Sequence, residues 1–504
     1  MTEQIKQEDV NKAVWAACDT FRGTVDPSVY KDYVLTMLFI KYISDVWQDH
    51  YDNYKKDYAD TPELIEELMK NERFVLPESA NFYTLYNKRE QPGNGERIDK
   101  ALSAIESANI TKLRNVFQDI AFNSNKLGEE AQKNELLKEL LEDYAKKELN
   151  LRPSNVGKLD VIGNAYEFLI KNFASESGRS AGEFYTPPEV SDLMALLMDP
   201  KEGEEICDPT CGSGSLLMKC GKLIQKNFAG SKKYALFGQE AIGSTWALAK
   251  MNMFLHGEDN HRVEWGDTIR NPKLLNEDES LKHFDIVVAN PPFSLDKWGH
   301  GTADGDKYSR FKRGIPPKTK GDYAFILHMI ETMKPKTGRM AVVAPHGVLF
   351  RGSREGDIRK KLIEENLLDT VIGLPEKLFY GTGIPATILI FKKKKIDEKV
   401  LFIDASREYL SGKNQNALSG DNISKILKTF KARDPNGVDK YAALISLEEL
   451  TENDYNLNIP RFVDTFEEEE EIDLVAVREE RLKIKARLAE LEIQMDKYLE
   501  ELDF

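Results

Sequence analysis

Short apolar runs alternate with helix-length segments from about residue 200 onward, and this alternation constrains the fold more than any other feature. Such runs are typical of buried β-strands. Strands joined by helix-length connections form a parallel sheet, because each crossover carries the chain back along the sheet. The sequence therefore predicts an α/β fold with a doubly wound sheet. The predicted strands are Glu205–Cys207, Tyr234–Gln239, Phe284–Ala289, Arg339–Ala344, Leu368–Ile372 and Ala386–Phe391.

The last of these runs, Ala386–Phe391, follows a glycine-rich turn and precedes four consecutive lysines. The turn indicates a hairpin. Lysines are common on exposed edge strands, where their charge discourages aggregation. We therefore expect this strand to lie at the edge of the sheet.

The chain before residue 150 has a helical pattern instead. Val10, Val14, Ala17 and Phe21 recur at helical spacing, and residues 33–47 are apolar on nearly every side, which indicates a buried helix. The changes of pattern along the chain predict three parts. They are a helical N-terminal domain over 1–150, an α/β domain over 151–465 and a tail over 466–504.

The tail begins with an acidic run at 467–471 and continues with apolar residues at spacings of four and three. This spacing is an a/d heptad pattern, which predicts a helix. The helix packs either on its own domain or on another chain, and the pattern alone leaves both interpretations open. The stripe consists of Ile484, Leu488, Leu491, Met495, Tyr498 and Leu502.

The charge balance limits the possible classes of function. The 504 residues contain 70 Lys and Arg against 85 Asp and Glu, which argues against a protein coated uniformly for nucleic acid. A local basic cleft remains compatible with this balance, because binding follows the local potential. Four cysteines, the lack of an apolar run of membrane-spanning length and the polar N-terminus favour a cytoplasmic protein.

The motif Asn290-Pro291-Pro292-Phe293 directly follows a predicted strand, at the edge where open α/β sheets bind ligands. The two prolines fix the backbone and remove two N–H donors, which leaves free carbonyls beside an amide and an aromatic ring. The Asn290 side chain and the Pro291 carbonyl can both accept hydrogen bonds from one exocyclic NH₂, while Phe293 stacks on the ring that carries it. A rigid strand-to-loop turn without chemistry is the alternative interpretation.

A second motif, Asp208-Pro209-Thr210-Cys211-Gly212-Ser213-Gly214, lies between a predicted strand and a predicted helix. Glycines there let a ligand approach the backbone closely. The motif lacks the GK[ST] of a Walker loop, which argues against a nucleoside triphosphate. Glu240, at the end of the next strand, suits two ribose hydroxyls, and Asp267 lies near the end of a third strand. Each carboxylate alone is equally compatible with a helix cap or a solvated loop.

Together, DPTCGSG, a strand-terminal acid, GDT and NPPF resemble S-adenosylmethionine-dependent amino-methyltransferases, which methylate exocyclic nitrogens, chiefly N6 of adenine in DNA. The segments GEFYTPP, GIPATILIFKK and YNLNIPR narrow the resemblance to the modification subunit of type I restriction–modification systems. The resemblance covers nearly the whole chain. It implies S-adenosyl-L-methionine as the cofactor, a methyltransferase domain over 151–465 and a partner-binding helix in the tail.

The resemblance also implies roles for individual residues. Asn290, Pro291 and Phe293 are expected to be catalytic, and no metal is expected. A base inside a duplex cannot reach such a site, so it must flip out. The expected cofactor-binding residues are Glu183, Tyr185, Thr186, Asp208, Thr210, Gly212, Ser213, Gly214, Glu240 and Asp267.

The partners implied by the resemblance are double-stranded DNA, a separate specificity subunit, a second copy of this chain and a restriction subunit with motor and nuclease activity; no membrane is implied. Two alternatives remain. A methyltransferase for amino or amide groups of protein or RNA predicts a smaller chain with its own recognition region. A non-catalytic scaffold predicts damaged motifs, whereas the glycine loop and NPPF are intact.

The segment 296–320 carries seven cations against three carboxylates directly after NPPF. Such a loop either meets DNA phosphates beside a flipped base or is simply solvated. His346, near a predicted strand end, is expected to be structural. The cysteines Cys207, Cys211 and Cys220 lack paired metal-ligand spacing, which argues against zinc.

Overall fold

The computed structural model describes residues 5–157, 160–176, 185–379, 382–413, 415–434, 440–464 and 474–501. The chain forms two units, Met1–Val463 and Asp464–Phe504. The first unit contains the sheet and a helical N-terminal region. The second contains the C-terminal helix.

A mixed sheet lies at the centre of the first unit, and nine of its strands fall within the described residues. The strands are β1 (Glu205–Asp208), β2 (Ala235–Glu240), β3 (His261–Trp265), β4 (Ile286–Ala289), β5 (Arg339–Pro345), β6 (Leu368–Gly373), β7 (Ala386–Lys392), β8 (Val400–Asp404) and β9 (Ala442–Ile445). Their order is β3-β2-β1-β4-β5-β7-β6-β8-β9. The first five strands in this order pair in parallel, and the order reverses between β1 and β4. The predicted α/β, doubly wound fold is therefore confirmed.

Strand β7 does not lie at the edge of the sheet, so that expectation was wrong. It pairs antiparallel with β5 on one side and with β6 on the other. Every residue from Ala386 to Phe391 is buried, as expected of an interior strand covered on both faces. The lysines beyond it have internal partners: Lys392 pairs with the buried Asp369 at 3.0 Å, and the Lys395 ammonium donates to the Leu368 carbonyl. In this protein the run of lysines therefore follows an interior strand, β7, and not an edge strand.

The N-terminal region is helical, as predicted. Its helices are α1 (Gln7–Ala16), α2 (Pro27–Asp57), α3 (Pro62–Lys70), α4 (Phe82–Asn87), α5 (Asn94–Ala108), α6 (Ile110–Leu113), α7 (Glu130–Tyr144) and α8 (Pro153–Val156). Helix α2 begins with Asp26, whose side chain accepts from the Ser28 N–H, and with Pro27 at its first position. Residues 33–45 of this helix are all buried, which confirms the predicted buried helix.

Further helices of the first unit lie within the described residues. They are α9 (Asp160–Glu176), α10 (Pro188–Met198), α11 (Ser215–Asn227), α12 (Gly243–Leu255), α13 (Asp322–Thr332), α14 (Gly347–Phe350), α15 (Ser353–Glu364), α16 (Gly420–Ala432) and α17 (Leu447–Glu452). Residues of β4 alternate between two hydrophobic clusters, Ile286 and Val288 in one and Val287 and Ala289 in the other. The first cluster also contains the buried side chains of α1 and α2, so the N-terminal helices share a core with one face of the sheet.

The second unit contains α18 (Leu474–Glu501). Many of its apolar side chains are exposed. Seven are each at least half exposed: Leu482, Ile484, Leu488, Leu491, Ile493, Met495 and Tyr498. Leu502, the last position of the predicted stripe, lies outside the described residues. Among the helices that are described, none is long and apolar enough to cross a membrane.

Candidate active site

The predicted site residues meet at the carboxyl edge of the sheet. Asp208 ends β1, Glu240 ends β2 and Asn290 directly follows β4, and these strands are neighbours in the order β2-β1-β4. The edge lies at the reversal of strand order, where loops diverge to opposite faces and leave a crevice for a ligand.

The loop between β1 and α11 is held tightly by its own backbone. The Cys211 N–H donates to the Gln239 carbonyl at 3.0 Å, and the Gly214 N–H donates to the Cys211 carbonyl at 2.7 Å. Gly212 and Gly214 both have positive φ, at 53° and 83°. The positive φ of Gly214 favours glycine, whereas a Cβ there would meet only the terminal methyl of Met253, at 2.8 Å, which can move aside.

Glu240 joins the two loops that face each other across this edge. One carboxylate oxygen accepts from the Gly212 N–H at 3.0 Å, and the other accepts from the Ile242 N–H at 2.9 Å. Burial raises the pKa of Glu240 above its usual value. Each oxygen keeps a further lone pair, so the carboxylate can still accept a hydrogen bond from a ligand hydroxyl.

Asp208 lies beneath the same loop and accepts a hydrogen bond from the Thr210 N–H at 2.9 Å. Burial raises the pKa of Asp208 to about 8, and the nearby Glu240 charge adds to the effect. Two buried carboxylates therefore lie close together with few compensating charges. Such a pair is typical of a site that receives a cationic or hydroxyl-bearing ligand.

Asp267 lies two residues beyond β3, as predicted from the position of a third strand. Its carboxylate accepts from the N–H groups of Ile269 and Arg270 and forms an ion pair with the Arg270 guanidinium at 2.8 Å. These bonds make it the cap of a turn, and the same residue lines the cavity described next. Asp267 can therefore both cap a turn and line a ligand-binding cavity.

A cavity of about 210 Å³ opens at this edge, with a smaller recess beside it. Thr210, Gly212 and Asn290 line both spaces. The larger cavity is also lined by Pro209, Glu240, Ala241, Ile242, Asp267, Thr268, Pro292, Leu295, Trp298 and Phe325. The recess is also lined by Thr186, Asp208, Cys211, Ser213, Ser215 and Leu216. The predicted cofactor loop and the NPPF motif are therefore two walls of one site.

Asn290 has one hydrogen-bonding group in use and one free. Its amide nitrogen donates to Thr186 Oγ1 at 3.2 Å, whereas its Oδ1 is buried and has no partner among the described residues. A buried polar atom without a partner costs free energy, so this position is suited to a ligand that hydrogen-bonds it.

The ring of Phe293 lies next to that of Phe379, with centroids 5.8 Å apart and an interplanar angle of 64°. Phe379 belongs to the connection after β6 and is nearly fully buried. Sequence reasoning missed it, although an aromatic residue in a glycine-rich segment at a strand end was an available signal. The two rings pack against each other, and neither lines the cavity or the recess.

Of the other predicted cofactor residues, Thr186 and Ser213 line the recess, whereas Tyr185 and Gly214 line neither the recess nor the cavity. Tyr185 is buried, Thr186 contacts Asn290, and Ser213 is buried with its carbonyl accepting from Asn252 Nδ2 at 3.0 Å. Asn252, on α12, was also missed by sequence reasoning. Glu183 lies outside the described residues.

The segment 296–320 is much less basic at its surface than its composition indicated. Arg310 is buried against Asp306, and Arg313 is buried against Glu331 and Glu365. Lys307 and Lys312 also pair with carboxylates, Glu279 and Glu331. Most of its cations therefore stabilise the fold.

His346 Nε2 donates a hydrogen bond to the Ala386 carbonyl at 3.1 Å, which agrees with the structural role expected for it. The cysteines Cys207, Cys211 and Cys220 are buried and free. Among the described residues, no group of three or more His, Cys, Asp or Glu side chains is arranged to hold a metal ion.

A doubly wound sheet whose carboxyl edge carries a glycine loop, a strand-terminal acid and an Asn-Pro-Pro-Phe turn defines the amino-methyltransferase class. The comparisons with known proteins agree. The N-6 DNA methylase family matches residues 157–471, and the HsdM N-terminal domain family matches residues 10–143.

Two relatives and one solved structure identify the group of methyltransferases that this chain resembles. The type I restriction enzyme MjaVIII methylase subunit of Methanocaldococcus jannaschii is 34% identical over 100% of this chain and 86% of its own length. The MpnII methylase subunit of Mycoplasma pneumoniae is 31% identical over 98% of both chains. The type I restriction–modification methyltransferase subunit from Streptococcus thermophilus has a TM-score of 0.81 at 37% identity, covering 92% of this chain and 100% of that one. The chain belongs to the N-6 DNA methylase family, among the methylase subunits of type I restriction enzymes.

Proposed function

We propose that this modification subunit transfers a methyl group from S-adenosyl-L-methionine to N6 of an adenine flipped out of double-stranded DNA. The observation that carries the proposal is Asn290 Oδ1, a buried acceptor without a partner among the described residues, in the wall shared by the cavity and the recess. When bound, the cofactor supplies an electrophilic methyl group.

The residues of the edge fit such a cofactor. The free lone pairs of the Glu240 carboxylate suit ribose hydroxyls, and the cavity beside it is lined by Ile242, Leu295 and Phe325, which suit an adenine ring. The recess, with Asp208, Thr210 and Thr186, has the polar groups that an amino-acid end requires. Asn290 borders both spaces, so the reacting atoms would lie between them.

Asn290 and Pro291 would act on the target nitrogen without a general base. The lone pair of an adenine NH₂ is delocalised into the ring and is a poor nucleophile. Two acceptors on its hydrogens, Asn290 Oδ1 and the Pro291 carbonyl, favour a tetrahedral nitrogen whose lone pair faces the methyl group. Thr186 orients the Asn290 amide so that its oxygen, and not its nitrogen, is available. Alignment of nucleophile, methyl group and leaving sulfur supplies much of the remaining rate enhancement.

Phe293 would hold the flipped base by stacking, which contributes roughly 1–3 kcal/mol per base. Phe379 fixes the orientation of that ring through its edge-to-face contact. A base inside a duplex cannot reach a recess of this kind, so the free energy of stacking offsets part of the free energy of flipping.

Target recognition would come from a specificity subunit, and the working complex would include a second copy of this chain and, for cleavage, a restriction subunit. We infer that helix α18 is the surface that binds the specificity subunit. Its exposed apolar side chains are spaced as a heptad seam. The free, buried cysteines suit the reducing cytoplasm.

The direct experiment is co-expression with the products of neighbouring open reading frames, followed by transfer of a radiolabelled methyl group to DNA. We expect label in N6-methyladenine only when a specificity subunit is present. Label in protein or RNA but not in DNA would contradict the proposal.

Truncation after Glu471 tests the role of the tail. The truncated chain should remain folded and bind S-adenosylmethionine, but it should fail to assemble and therefore fail to methylate DNA. Each fully buried Leu contributes roughly 1.5–3 kcal/mol, so loss of four or five such contacts would abolish an interface. A pull-down with the specificity subunit, a thermal melt and a cofactor titration measure these outcomes. Normal assembly of the truncated chain would contradict the assignment.

A further inference from the structure

A groove of about 640 Å³ lies between the N-terminal helices and the outermost strand on the β3 side of the sheet. One wall is formed by residues 110–115, at and after helix α6. The other is formed by α12, β3 and the loop that follows β3. It is separate from the site above, because Asn290 follows β4 in the interior of the sheet.

The sheet wall of the groove presents a rigid aromatic face. Trp265 is 46% exposed, which is high for a tryptophan in a folded domain. Its indole N–H donates to the Ala241 carbonyl at 3.1 Å, and its ring stacks near that of Trp246 at 6.4 Å. The Trp246 N–H in turn donates to the Val263 carbonyl at 2.8 Å. Both rings are therefore held in place, and one face of Trp265 remains open to a partner.

Four cations line the same groove against a single carboxylate. They are Lys112, Arg114, Lys250 and Lys273, and the carboxylate is Glu264. Glu264 is paired with Arg262 at 2.7 Å. Within the described residues, none of the four cations forms an ion pair with a carboxylate, in a chain whose net charge is −15. The Lys112 ammonium does donate to the Arg73 carbonyl, at 2.6 Å.

Of the four cations, Lys250 gives the strongest evidence that the groove binds an anion. It is half-buried on α12, and burial lowers the pKa of its ammonium group. A partly desolvated cation without a carboxylate partner costs free energy, which an anionic ligand in the groove would offset.

We propose that this groove binds a single-stranded stretch of nucleic acid, with one base stacked on Trp265 and the backbone phosphates against the four cations. Four cations without a carboxylate partner exceed the charge of a single phosphate, which favours a polyanion. An exposed, fixed aromatic face beside a basic groove is the arrangement that binds unpaired bases. A duplex offers phosphates to the cations, but its bases are not free to stack.

The test is fluorescence anisotropy of a labelled oligothymidylate, and of a duplex of equal length, titrated with the full-length protein across a series of salt concentrations. The charge variant is Arg114→Glu with Lys273→Glu. Its matched control is Lys226→Glu with Lys336→Glu, which reverses two exposed lysines outside the groove. The stacking variants are Trp265→Ala and Trp265→Phe. A cofactor titration and a thermal melt report on folding, since Trp265 holds Ala241 beside the cofactor cavity.

We expect tighter binding of the single strand than of the duplex. The charge variant should lose about tenfold or more in affinity, and the slope of log K against log salt should fall by about 1.4, or about 0.7 for each lost phosphate contact. Trp265→Ala should lose about tenfold for the single strand while Trp265→Phe stays near wild type, because any aromatic face can stack.

Three results would overturn the proposal. One is an equal loss of affinity in the control pair. Another is unchanged single-strand affinity in a folded Trp265→Ala variant. The third is tighter binding of the duplex than of the single strand, which would make the groove a duplex contact. None of these measurements depends on methyl transfer. Their outcome therefore tests the groove alone and leaves the proposed methyltransferase function to be tested separately.

Discussion

The two sides of the active-site crevice differ in how their polar groups are used. On the side of β1, β2 and β3, the carboxylates of Asp208, Glu240 and Asp267 all accept hydrogen bonds from backbone N–H groups of the surrounding loops. On the side of β4, Asn290 Oδ1 accepts none from any described residue. The first side is therefore preorganised by internal hydrogen bonds without a ligand, whereas the second side has an acceptor that remains unpaired until a ligand binds.

This difference suggests that one side of the crevice binds the cofactor and that the other side determines the rate of methyl transfer. A loop fixed by its own hydrogen bonds offers a cofactor a preorganised surface, which lowers the cost of binding. An acceptor that is unpaired at rest can form its strongest bond as the target nitrogen reacts, and interactions of this kind raise kcat. Substitutions on the loop side should therefore change affinity for the cofactor, and those on the Asn290 side should change rate.

Asn290→Ala should have the largest effect on rate. It removes one of two acceptors on the target NH₂, and loss of a single preorganised hydrogen-bonding group costs on the order of 10²–10³-fold in kcat. Cofactor affinity, measured by calorimetry, should stay near wild type. Asn290→Asp, which keeps an acceptor oxygen, should retain more activity than Asn290→Ala. If a folded alanine variant kept most of its kcat, Asn290 would not be a catalytic residue, and the proposed difference between the two sides of the crevice would be wrong.

Gly212→Asp should have the next largest effect, on binding. Gly212 has a positive φ, lines both cavity and recess, and donates its N–H to Glu240. A side chain there enters space that the ligand needs, so we expect a loss of about 3 kcal/mol or more, on the order of a hundredfold in Kd. The matched control is Gly203→Asp, which has a similar φ of 83° with open space around it. Equal losses in both variants would assign the effect to backbone strain alone.

Phe293→Ala should have a smaller effect, on the flipped-base state. Loss of stacking of roughly 1–3 kcal/mol corresponds to about 5- to 150-fold in kcat/KM for DNA. Phe293→Tyr and Phe293→Trp should stay close to wild type, because stacking needs only an aromatic face. Fluorescence of 2-aminopurine at the target position reports flipping directly. An alanine variant that flips the base normally would show that Phe379 or another residue holds it.

The last expected effect is on stability against pH rather than on activity. Burial raises the pKa of Asp208 to about 8 in the folded protein, whereas an unfolded Asp titrates near about 3.9. Between these values the folded state holds a proton that the unfolded state has released, so this group makes stability fall as pH rises from about 4 to about 8. Asp208→Asn should reduce that slope in thermal melts of the cofactor-free protein. The exposed Asp60→Asn is the control, and equal slopes in wild type and Asp208→Asn would contradict the expectation.

Much of the crevice could be predicted from residue order alone. Parallel strands bring their carboxyl ends to one edge, so residues at the ends of β1, β2 and β4 had to meet there. Asp208, Gly212, Glu240 and Asn290 were therefore placed together correctly. Phe379 and Asn252 were missed because their roles depend on contacts between segments far apart in sequence.

Periodicity and motif spacing in the sequence determined the fold class, the helical N-terminal region and the residues at the carboxyl edge, because these follow from local patterning and from the direction of parallel strands. Only the tertiary structure decided where β7 lies, since four lysines after a strand have the same appearance whether they face solvent or pair with Asp369. Likewise, the cations of 296–320 appear free in sequence. Arg310 pairs with a carboxylate four residues away, but Lys307, Lys312 and Arg313 pair with carboxylates of distant segments. Charge counts along a chain are local, whereas charge neutralisation depends on which segments the fold brings together.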